Sequence, residues 1–425
     1  MHSFLICMQK RRKMNSFKTT LFRFLPLLAV IGPGIISGSV DNDAGGIATY
    51  SIAGAQFGYS LLWVLFLTTF ALAITQEIGA RMGLATGKGL ASLIRERFGV
   101  KWTTFIMVVL LLANLGTIAA EFAGIAAALD ILHISKYLSV PIAAFMVYFL
   151  VSKGSFKKLE KIFLVASGFY LVYIISASLA HPDWILSVKS LVAPSLSLNK
   201  GYLLTIVALI GTTITPWGQF FIQDYVVDKK LTKDDLGIER GDVFLGSFLT
   251  NFISFFIVIA CAATIFGHGL HINSAKDAAL ALQPLAGKFA SLLFAFGLLN
   301  ASIFGAALVP VSTSYVITEA FGFESGLNFS FSEAPEFYSL FAFLLLVGAM
   351  LVILPFVPLL TILFVSQAIN AILLLPILIF LFILSNDKKL LNGYTNGKLV
   401  NSIVIITFLL IASSAIAFFI SLFFS

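Results

Sequence analysis

The sequence predicts an all-α polytopic membrane protein with about eleven transmembrane helices, of which the first and the sixth are broken. Three observations lead to this fold class. Of the 425 residues, 59% are hydrophobic and only 11% are charged, and the mean hydropathy is +1.01. Apolar runs of about twenty residues, the length that crosses a bilayer, repeat along the whole chain. Two of these runs, five spans apart, are interrupted by helix-breaking residues.

The spans can be placed from windowed hydropathy, and the basic residues then orient them. The interrupted spans cover residues 21–53 and 202–227, and the others cover 57–84, 104–131, 138–152, 160–180, 242–267, 284–318, 337–356, 359–384 and 399–424. Twenty-two of the 27 Lys and Arg residues fall in the N-terminal tail and in alternate loops. The positive-inside rule makes that side cytoplasmic. We therefore expect an integral plasma (inner) membrane protein with its N-terminus in the cytoplasm and its C-terminus outside.

The interruption of the first span contains two carboxylates, Asp41 and Asp43, on either side of Asn42. Charged residues within a membrane span are costly and by default mark a functional site. The glycines that follow, Gly45 and Gly46, are poor helix residues, and a helix broken there frees backbone carbonyls. Carboxylates and free carbonyls together favour an oxygen site for a cation. The alternative interpretation is an extramembrane turn between two short helices.

The sixth span repeats this pattern. Pro216 removes a backbone donor in the middle of the span, with Gly218 two residues later. Alone, this is typical of a proline kink, but two broken helices in corresponding positions indicate an inverted-repeat transporter with its site between the breaks. The predicted units are a cytoplasmic tail over residues 1–20, a first repeat over 21–180, a second repeat over 202–384 and an extra helix over 399–424.

Several other polar residues lie within spans, and each has a structural alternative. Glu121 is expected to face the central cavity or to serve as a buried hydrogen-bonding group. Asn251 and Asn300 are typical of interhelical hydrogen bonds. Gln367 and Asn370 are three residues apart and share a helix face, where they either join helices or hold water near the site. Glu77 and Arg81, at i and i+4, are expected to pair.

Other classes of function are not indicated. The two cysteines, Cys7 and Cys261, exclude a disulfide framework and a thiolate metal site. All five histidines lie in tails, loops or span ends. The sequence has no phosphate-binding loop and no nucleophile elbow, so we predict neither an enzyme nor a bound cofactor. The net charge of +7 follows from topology and does not indicate nucleic acid. No obligate protein partner is predicted beside the lipid bilayer.

Three stretches resemble the natural resistance-associated macrophage protein (NRAMP) family of divalent metal transporters. They are GPG at Gly32–Gly34, DAGGIATYSIAGAQFGYSLLW at Asp43–Trp63 and QEIGARMGLATGKGL at Gln76–Leu90. The resemblance covers spans 1 to 10. It implies the LeuT-like fold of five plus five helices in inverted repeats, which agrees with the paired interruptions.

The departures from the family pattern are informative. The ligand Asp of the usual Asp-Pro-Gly-Asn motif corresponds to Asp43, whereas its Asn corresponds to Gly46. In the sixth helix, Thr212 replaces an Ala, and Thr215-Pro216-Trp217 replaces Met-Pro-His. The second histidine of that helix corresponds to Ile222, and an Asp before the glutamate of the third helix corresponds to Ile118. This set resembles the NRAMP-related magnesium transporter branch.

The resemblance implies a site whose metal ligands are Asp43, Gly46, Thr212, Thr215 and Gln367. Without sulfur or imidazole, such a site suits a hard cation, and magnesium keeps several of its waters. The residues expected around the site or along the pathway are Asp41, Glu121, Trp217, Asn251, Asn300 and Asn370.

These residues predict import of divalent cations, magnesium first and manganese second, by alternating access. Since Ile118, Trp217 and Ile222 replace protonatable groups, weak or absent proton coupling is expected. One alternative is a proton-coupled manganese or iron importer in which Glu121 carries the coupling. Another is an amino-acid or amine symporter on the same fold, which Asp41 and Asp43 disfavour. A third is a receptor or scaffold without transport activity.

Overall fold

The structure is a computed structural model that describes residues 42–153, 167–327 and 329–423. In this part of the chain every regular element is a helix, as predicted. The tail, the start of the first span with Asp41, and the start of the fifth span lie outside the described residues.

The helices of nine or more residues are numbered in chain order. They are α1 Ala44–Phe57, α2 Leu62–Thr86, α3 Leu90–Phe98, α4 Val100–Asp130, α5 Lys136–Ser152, α6 Leu171–Leu179, α7 Trp184–Val192, α8 Lys200–Thr213, α9 Pro216–Asp228, α10 Leu236–Thr264, α11 Ala290–Phe321, α12 Pro335–Ile353, α13 Leu359–Ser385 and α14 Lys398–Phe423.

Short helical turns occupy several connections. Single α-helical turns form at Ala275–Ala278, Gln283–Ala286 and Lys388–Leu391, and 3₁₀ turns form at Ser167–Tyr170, Lys233–Asp235, Phe266–His268, Ala279–Leu282 and Gly287–Phe289. The predicted eighth span therefore begins as short turns and becomes the continuous helix α11 only at Ala290.

Eight helical stretches of the described chain are long and apolar enough to cross a membrane. The α8–α9 pair counts as one of them, and α5 is an apolar helix of 17 residues. The stretch 168–179 meets α7 at an angle of 117°. Large apolar side chains such as Phe70, Leu112, Phe145 and Leu409 are exposed on the outer surface, as expected for contact with lipid. The orientation of the termini across the membrane and the limits of the two repeats stay predictions.

Capping residues explain where several helices begin and end. Asp183 accepts a hydrogen bond from the Leu186 amide at 2.9 Å at the start of α7, and Asn199 accepts one from the Gly201 amide at 2.8 Å at the start of α8. Side-chain oxygens of this kind satisfy amides that have no partner within the helix. At the end of α2, Gly87 adopts φ +66°, the left-handed conformation that glycine tolerates best.

The helices that carry the candidate site pack at the centre. α4 contacts α11, α12 and α13, while α8 packs against α13 and α1, and α10 packs against α1 and α2. α8 approaches α13 closely at Gly211. A Cβ atom there would collide with the Gln367 carbonyl and lie 2.6 Å from the Ala371 backbone nitrogen. Such close contact through small residues is how helices associate within a bilayer.

A polar network joins the ends of several helices on the predicted cytoplasmic side. Glu77 accepts hydrogen bonds from Arg81 Nε at 3.1 Å and from Arg240 Nε at 2.7 Å. Arg81 also donates to the Tyr394 carbonyl and, at 2.6 Å, to the side chain of Asn396. The predicted Glu77–Arg81 pair is thus confirmed, and it connects α2 to α10 and to the segment before α14.

Gly211→Ala is expected to destabilise the protein by about 1–3 kcal/mol, because the added methyl group meets backbone atoms that cannot rotate away. Thermal unfolding of the purified protein in detergent measures this loss. Gly241→Ala is the matched control, since a Cβ atom at Gly241 has open space and alanine is the better helix former. Equal or higher thermal stability for Gly211→Ala would contradict the close packing of α8 on α13.

Candidate metal centre

Asp43 forms the N-cap of α1. Its Oδ1 accepts a hydrogen bond from the Gly46 amide at 2.6 Å, and its backbone is extended, with φ −67° and ψ −176°. Only 3% of the residue is exposed. The unpaired amides and the positive end of the helix stabilise a carboxylate at this position. The chain therefore holds a buried anion at the start of α1.

The residue before the cap, Asn42, is fixed by three hydrogen bonds from distant helices. Its Nδ2 donates to the Thr250 carbonyl at 3.3 Å, and its Oδ1 accepts from Ser254 Oγ at 2.9 Å. Its backbone carbonyl accepts from the Tyr170 hydroxyl at 2.7 Å. These bonds attach the non-helical turn to α10 and to the Ser167–Tyr170 turn, so the position of Asp43 is set by two other parts of the fold.

The interruption of the sixth span lies between Thr213, the last residue of α8, and Pro216, the first residue of α9. Because Pro216 has no amide hydrogen, the Thr212 carbonyl has no helical donor four residues later. The Thr212 hydroxyl is buried and has no hydrogen-bond partner within the described chain. Thr215, the N-cap residue of α9, is also buried. The break thus supplies buried hydroxyl and carbonyl oxygens.

Helix α13 brings an amide next to the first break. A Cβ atom at Gly45 would collide with Nε2 of Gln367, so the Gln367 side chain lies directly against α1. Gln367 Oε1 accepts a hydrogen bond from Asn370 Nδ2 at 3.2 Å, and this Nδ2 also donates to Thr117 Oγ1 at 2.9 Å. The predicted pair at i and i+3 therefore shares one face, and Asn370 orients Gln367 from behind.

Glu121 lies beside Asp43. Its carboxyl group faces that of Asp43 and the Ala44 amide, and the Gly305 Cα on α11 lies directly against it. Glu121 is fully buried, and within the described residues neither carboxyl oxygen has hydrogen-bond geometry to a donor. Two adjacent carboxyl groups in a low-dielectric interior disfavour ionisation of both unless a cation or a proton is present.

Asp43, Glu121 and Gln367 thus meet at the start of α1, and we take them, with Thr212, Thr215 and the backbone groups near Gly46, as the candidate centre. Within the described chain no three His, Cys, Asp or Glu residues group as metal ligands. A cation here would depend on at most two carboxylates, supplemented by amide, hydroxyl, carbonyl and water oxygens. This donor set is typical of a hard, partly hydrated ion.

The other predicted residues are Asn251 on α10, Asn300 on α11 and Trp217, which directly follows Pro216. Asn251 donates to the Ser247 carbonyl of its own helix at 3.2 Å, whereas its neighbour Thr250 contacts Asn42. Asn300 is half-buried and makes no hydrogen bond within the described chain, and Gly305 is the residue of α11 that meets Glu121. Trp217 is buried near Phe221, at 5.4 Å between ring centroids, with its indole N–H unpaired.

Sequence reasoning missed the groups that hold Asn42, namely the Tyr170 hydroxyl, the Thr250 carbonyl and the Ser254 hydroxyl. Asn42 itself carried a signal, as a polar residue between the two carboxylates. Ser254 lies four residues after Thr250 and thus on the same face of α10, but hydroxyl residues in membrane helices often bond only to their own backbone. The sequence offered no feature that links Tyr170 to a residue 128 positions away.

Comparison with known proteins gives consistent matches. Residues 34–421 match the family profile described as natural resistance-associated macrophage protein-like. The chain is 28% identical to the divalent metal cation transporter MntH of Deinococcus radiodurans, over 71% of this chain and 70% of the relative. It is 29% identical to MntH of Caldanaerobacter subterraneus subsp. tengcongensis, over 75% of this chain and 76% of the relative.

Solved structures support the fold. The manganese transporter of Eremococcus coleocola superposes with a TM-score of 0.77 at 22% identity, covering 92% of this chain and 88% of that one. Mhp1, a nucleobase-cation-symport-1 family transporter, gives 0.60 at 15% identity, covering 91% and 90%. The predicted LeuT-like polytopic membrane fold is thus confirmed.

Tyr170→Phe is expected to lower stability by about 1–3 kcal/mol, because the buried Asn42 carbonyl loses its donor. It should also weaken Mn²⁺ binding, since the turn that carries Asp43 loses one of the three hydrogen bonds that fix Asn42. Thermal unfolding and calorimetric Mn²⁺ titration of the purified protein measure the two effects. Tyr173→Phe is the control, because the Tyr173 hydroxyl is not one of the three groups that bond to Asn42. Identical behaviour of the two variants would show that the Asn42 contact is without consequence.

Proposed function

Because the chain belongs to the natural resistance-associated macrophage protein-like family, we propose that it transports divalent metal cations across the membrane in which it is embedded. The observation that carries this proposal is the buried Asp43 carboxylate at a helix start, with Gln367 against the next turn and the second break beside it. An uncompensated anion is costly at this depth, and a cation offsets that cost. The relatives are named as divalent metal cation transporters, not as enzymes.

We further propose that magnesium is the first substrate and manganese the second. The structurally similar Eremococcus coleocola protein is a manganese transporter, so the preference for magnesium rests on the ligand chemistry alone. The centre offers carboxylate, hydroxyl and amide oxygens, with Thr215 where the family pattern has a thioether. Thioethers select soft metals, whereas oxygen ligands suit magnesium and manganese. Magnesium gives up its waters reluctantly, which fits a site with few charged ligands.

In the proposed mechanism, Asp43 is the main anionic ligand, and Thr212, Thr215, Gln367 and the backbone at Gly46 contact the ion or its waters. The two halves of the fold rock about the two breaks and open the site to each side in turn. Asp41, outside the described residues, is proposed to line the access path. The membrane potential, negative inside, drives a cation inward. It contributes a free energy of about 2.3 kcal/mol per charge per 100 mV.

We also propose weak or absent proton coupling, and the surroundings of Glu121 support this. It is the only charged residue between Lys101 and Asp130 on α4, and α12 has no charged residue after Glu336. Ile118, one turn before Glu121, packs against Gly348 of α12 with its side chain fully buried. Between Lys101 and Asp130 on α4, and after Tyr338 on α12, a proton on Glu121 would find no further titratable group, so these stretches offer no relay.

A proton-coupled manganese or iron importer is the second candidate function, and one contact favours it. Because the Glu121 carboxyl group lies beside Asp43, binding of a cation at Asp43 would change the charge that Glu121 experiences. Coupling through this pair needs only a single exchange of a proton for the metal. A symporter of organic solutes receives no comparable support from two adjacent acidic residues.

Thr215→Met is expected to increase inhibition of Mg²⁺ uptake by Cd²⁺ at least tenfold, because it restores a soft ligand at the second break. Uptake into proteoliposomes with Mg²⁺ and Mn²⁺ in parallel measures this change. The wild-type protein should carry both ions and tolerate Cd²⁺, and Asp43→Ala should carry neither ion. Mn²⁺ uptake without Mg²⁺ uptake, together with strong Cd²⁺ inhibition of the wild type, would contradict the proposed selectivity.

A pH dye inside the same proteoliposomes tests coupling. With an imposed potential, negative inside, we expect Mg²⁺ influx without acidification of the lumen and little change of rate with external pH. Glu121→Gln, which keeps the shape of the side chain and removes its charge, should weaken metal affinity but should not alter the proton signal. Acidification that follows metal influx and disappears in Glu121→Gln would instead establish the proton-coupled alternative.

A further inference from the structure

Three acidic residues meet at the end of α9 that lies away from the break. Asp224 and Asp228 are one turn apart on the same face of α9, and Glu319 lies in the last turn of α11 close enough to interact electrostatically with both. Asp228 Oδ1 accepts a hydrogen bond from the Tyr315 hydroxyl at 2.9 Å. Nine residues separate Asp224 from Thr215, about 14 Å along the helix, so this cluster is separate from the central site.

Asp224 is buried, and its carboxylate has no hydrogen-bond donor within the described chain. Only 6% of the residue is exposed, and neither carboxylate oxygen has a hydrogen bond within the described chain. The Leu90 amide faces the carboxylate without hydrogen-bond geometry. A buried carboxylate in this condition carries a large desolvation cost, which a bound cation would offset.

Gly89 leaves the space beside this carboxylate open. A Cβ atom at Gly89 would collide with Asp224 Oδ1 and lie 3.2 Å from Glu319 Oε2. The backbone of Gly89, with φ −69° and ψ 161°, is one that any residue can adopt. Glycine is therefore needed here because a larger residue would not fit, and not because of its backbone conformation. The carboxylates of Asp224 and Glu319 approach the same small volume. Glu319 Oε1 accepts from Ser92 Oγ at 2.8 Å, which aims the other oxygen toward Gly89.

The basic residues nearby have other partners. Lys88 pairs with Glu96 at 2.6 Å, and Arg95 donates to the Ala320 carbonyl at 2.7 Å. None of the ion pairs in the described chain includes Asp224, Asp228 or Glu319. The N-terminus of α3 contributes about half a positive charge. That charge can offset part of one carboxylate but not two.

We propose that Asp224 and Glu319 bind a second, partly hydrated divalent cation, Mg²⁺ or Mn²⁺, in the space beside Gly89. Two carboxylates match the charge of one such ion. Magnesium is usually held by one or two carboxylates while it keeps several waters. The oxygens of Ser92 and Asp228 can accept hydrogen bonds from those waters. The site goes beyond the proposed transport function, because it uses none of the residues assigned to the central site.

Equilibrium binding of Mn²⁺ to the purified full-length protein, measured by electron paramagnetic resonance with Mg²⁺ as competitor, tests this site. We expect two Mn²⁺ ions per wild-type chain, one in Asp224→Asn, one in Asp43→Ala and none in the double variant. The control Asp234→Asn removes an exposed carboxylate and should keep both ions. Glu319→Gln should lose the same ion as Asp224→Asn.

The outcomes separate this site from the proposed function. A single ion that is lost in Asp43→Ala and kept in Asp224→Asn would overturn the second site and leave the transport proposal intact. Binding that survives Asp43→Ala at full stoichiometry would overturn the central assignment instead. If Asp224→Asn fails to fold, Glu319→Gln decides, and retention of two ions in that variant would overturn the second site.

Discussion

A carboxylate buried at a helix start inside the membrane, Asp43, is the constraint on which the rest of the structure depends. Such a group is costly unless dipoles and a counter-charge compensate it. The Gly46 amide and the start of α1 provide the dipoles. Full compensation requires a cation, which no described Lys or Arg supplies at this position. The interior around Asp43 is therefore not a purely apolar core, and its uncompensated charge supports the proposed cation site.

Close helix packing follows from this constraint, because oxygens can converge on one ion only if the backbones approach one another. Gly45 admits the Gln367 side chain against α1, and Gly211 lets α8 lie on the backbone of α13. The absence of a side chain at Gly305 likewise makes room for the Glu121 carboxyl group. The same small residues that allow helices to associate in a bilayer thus set the distances within the centre. Packing and function cannot be varied independently at these glycines.

Local features of the sequence predicted much of this centre. The Asp43 break, the Pro216 break and the Gln367–Asn370 spacing all act within one or two turns, where periodicity and helix propensity are informative. The contacts of Asn42 could not be predicted, because they join residues more than 120 positions apart and depend on how helices rotate about their axes. Asn251 is an example, because it was predicted to lie near the site from its residue type alone. The contact with the turn is made one residue earlier on the same helix, by the Thr250 carbonyl.

The Asp43–Glu121 pair links selectivity to coupling through charge balance. A divalent cation neutralises two carboxylates, whereas one proton neutralises only one of them. If Glu121 stays ionised with the metal bound, the centre is neutral, and the movement of the ion needs no proton. If Glu121 carries a proton, the centre retains one positive charge in an apolar setting, which is the costlier arrangement. Between Lys101 and Asp130, α4 offers no second charged residue that could exchange a proton with Glu121. Charge balance and this gap both support the proposal that the membrane potential acts on the divalent ion itself.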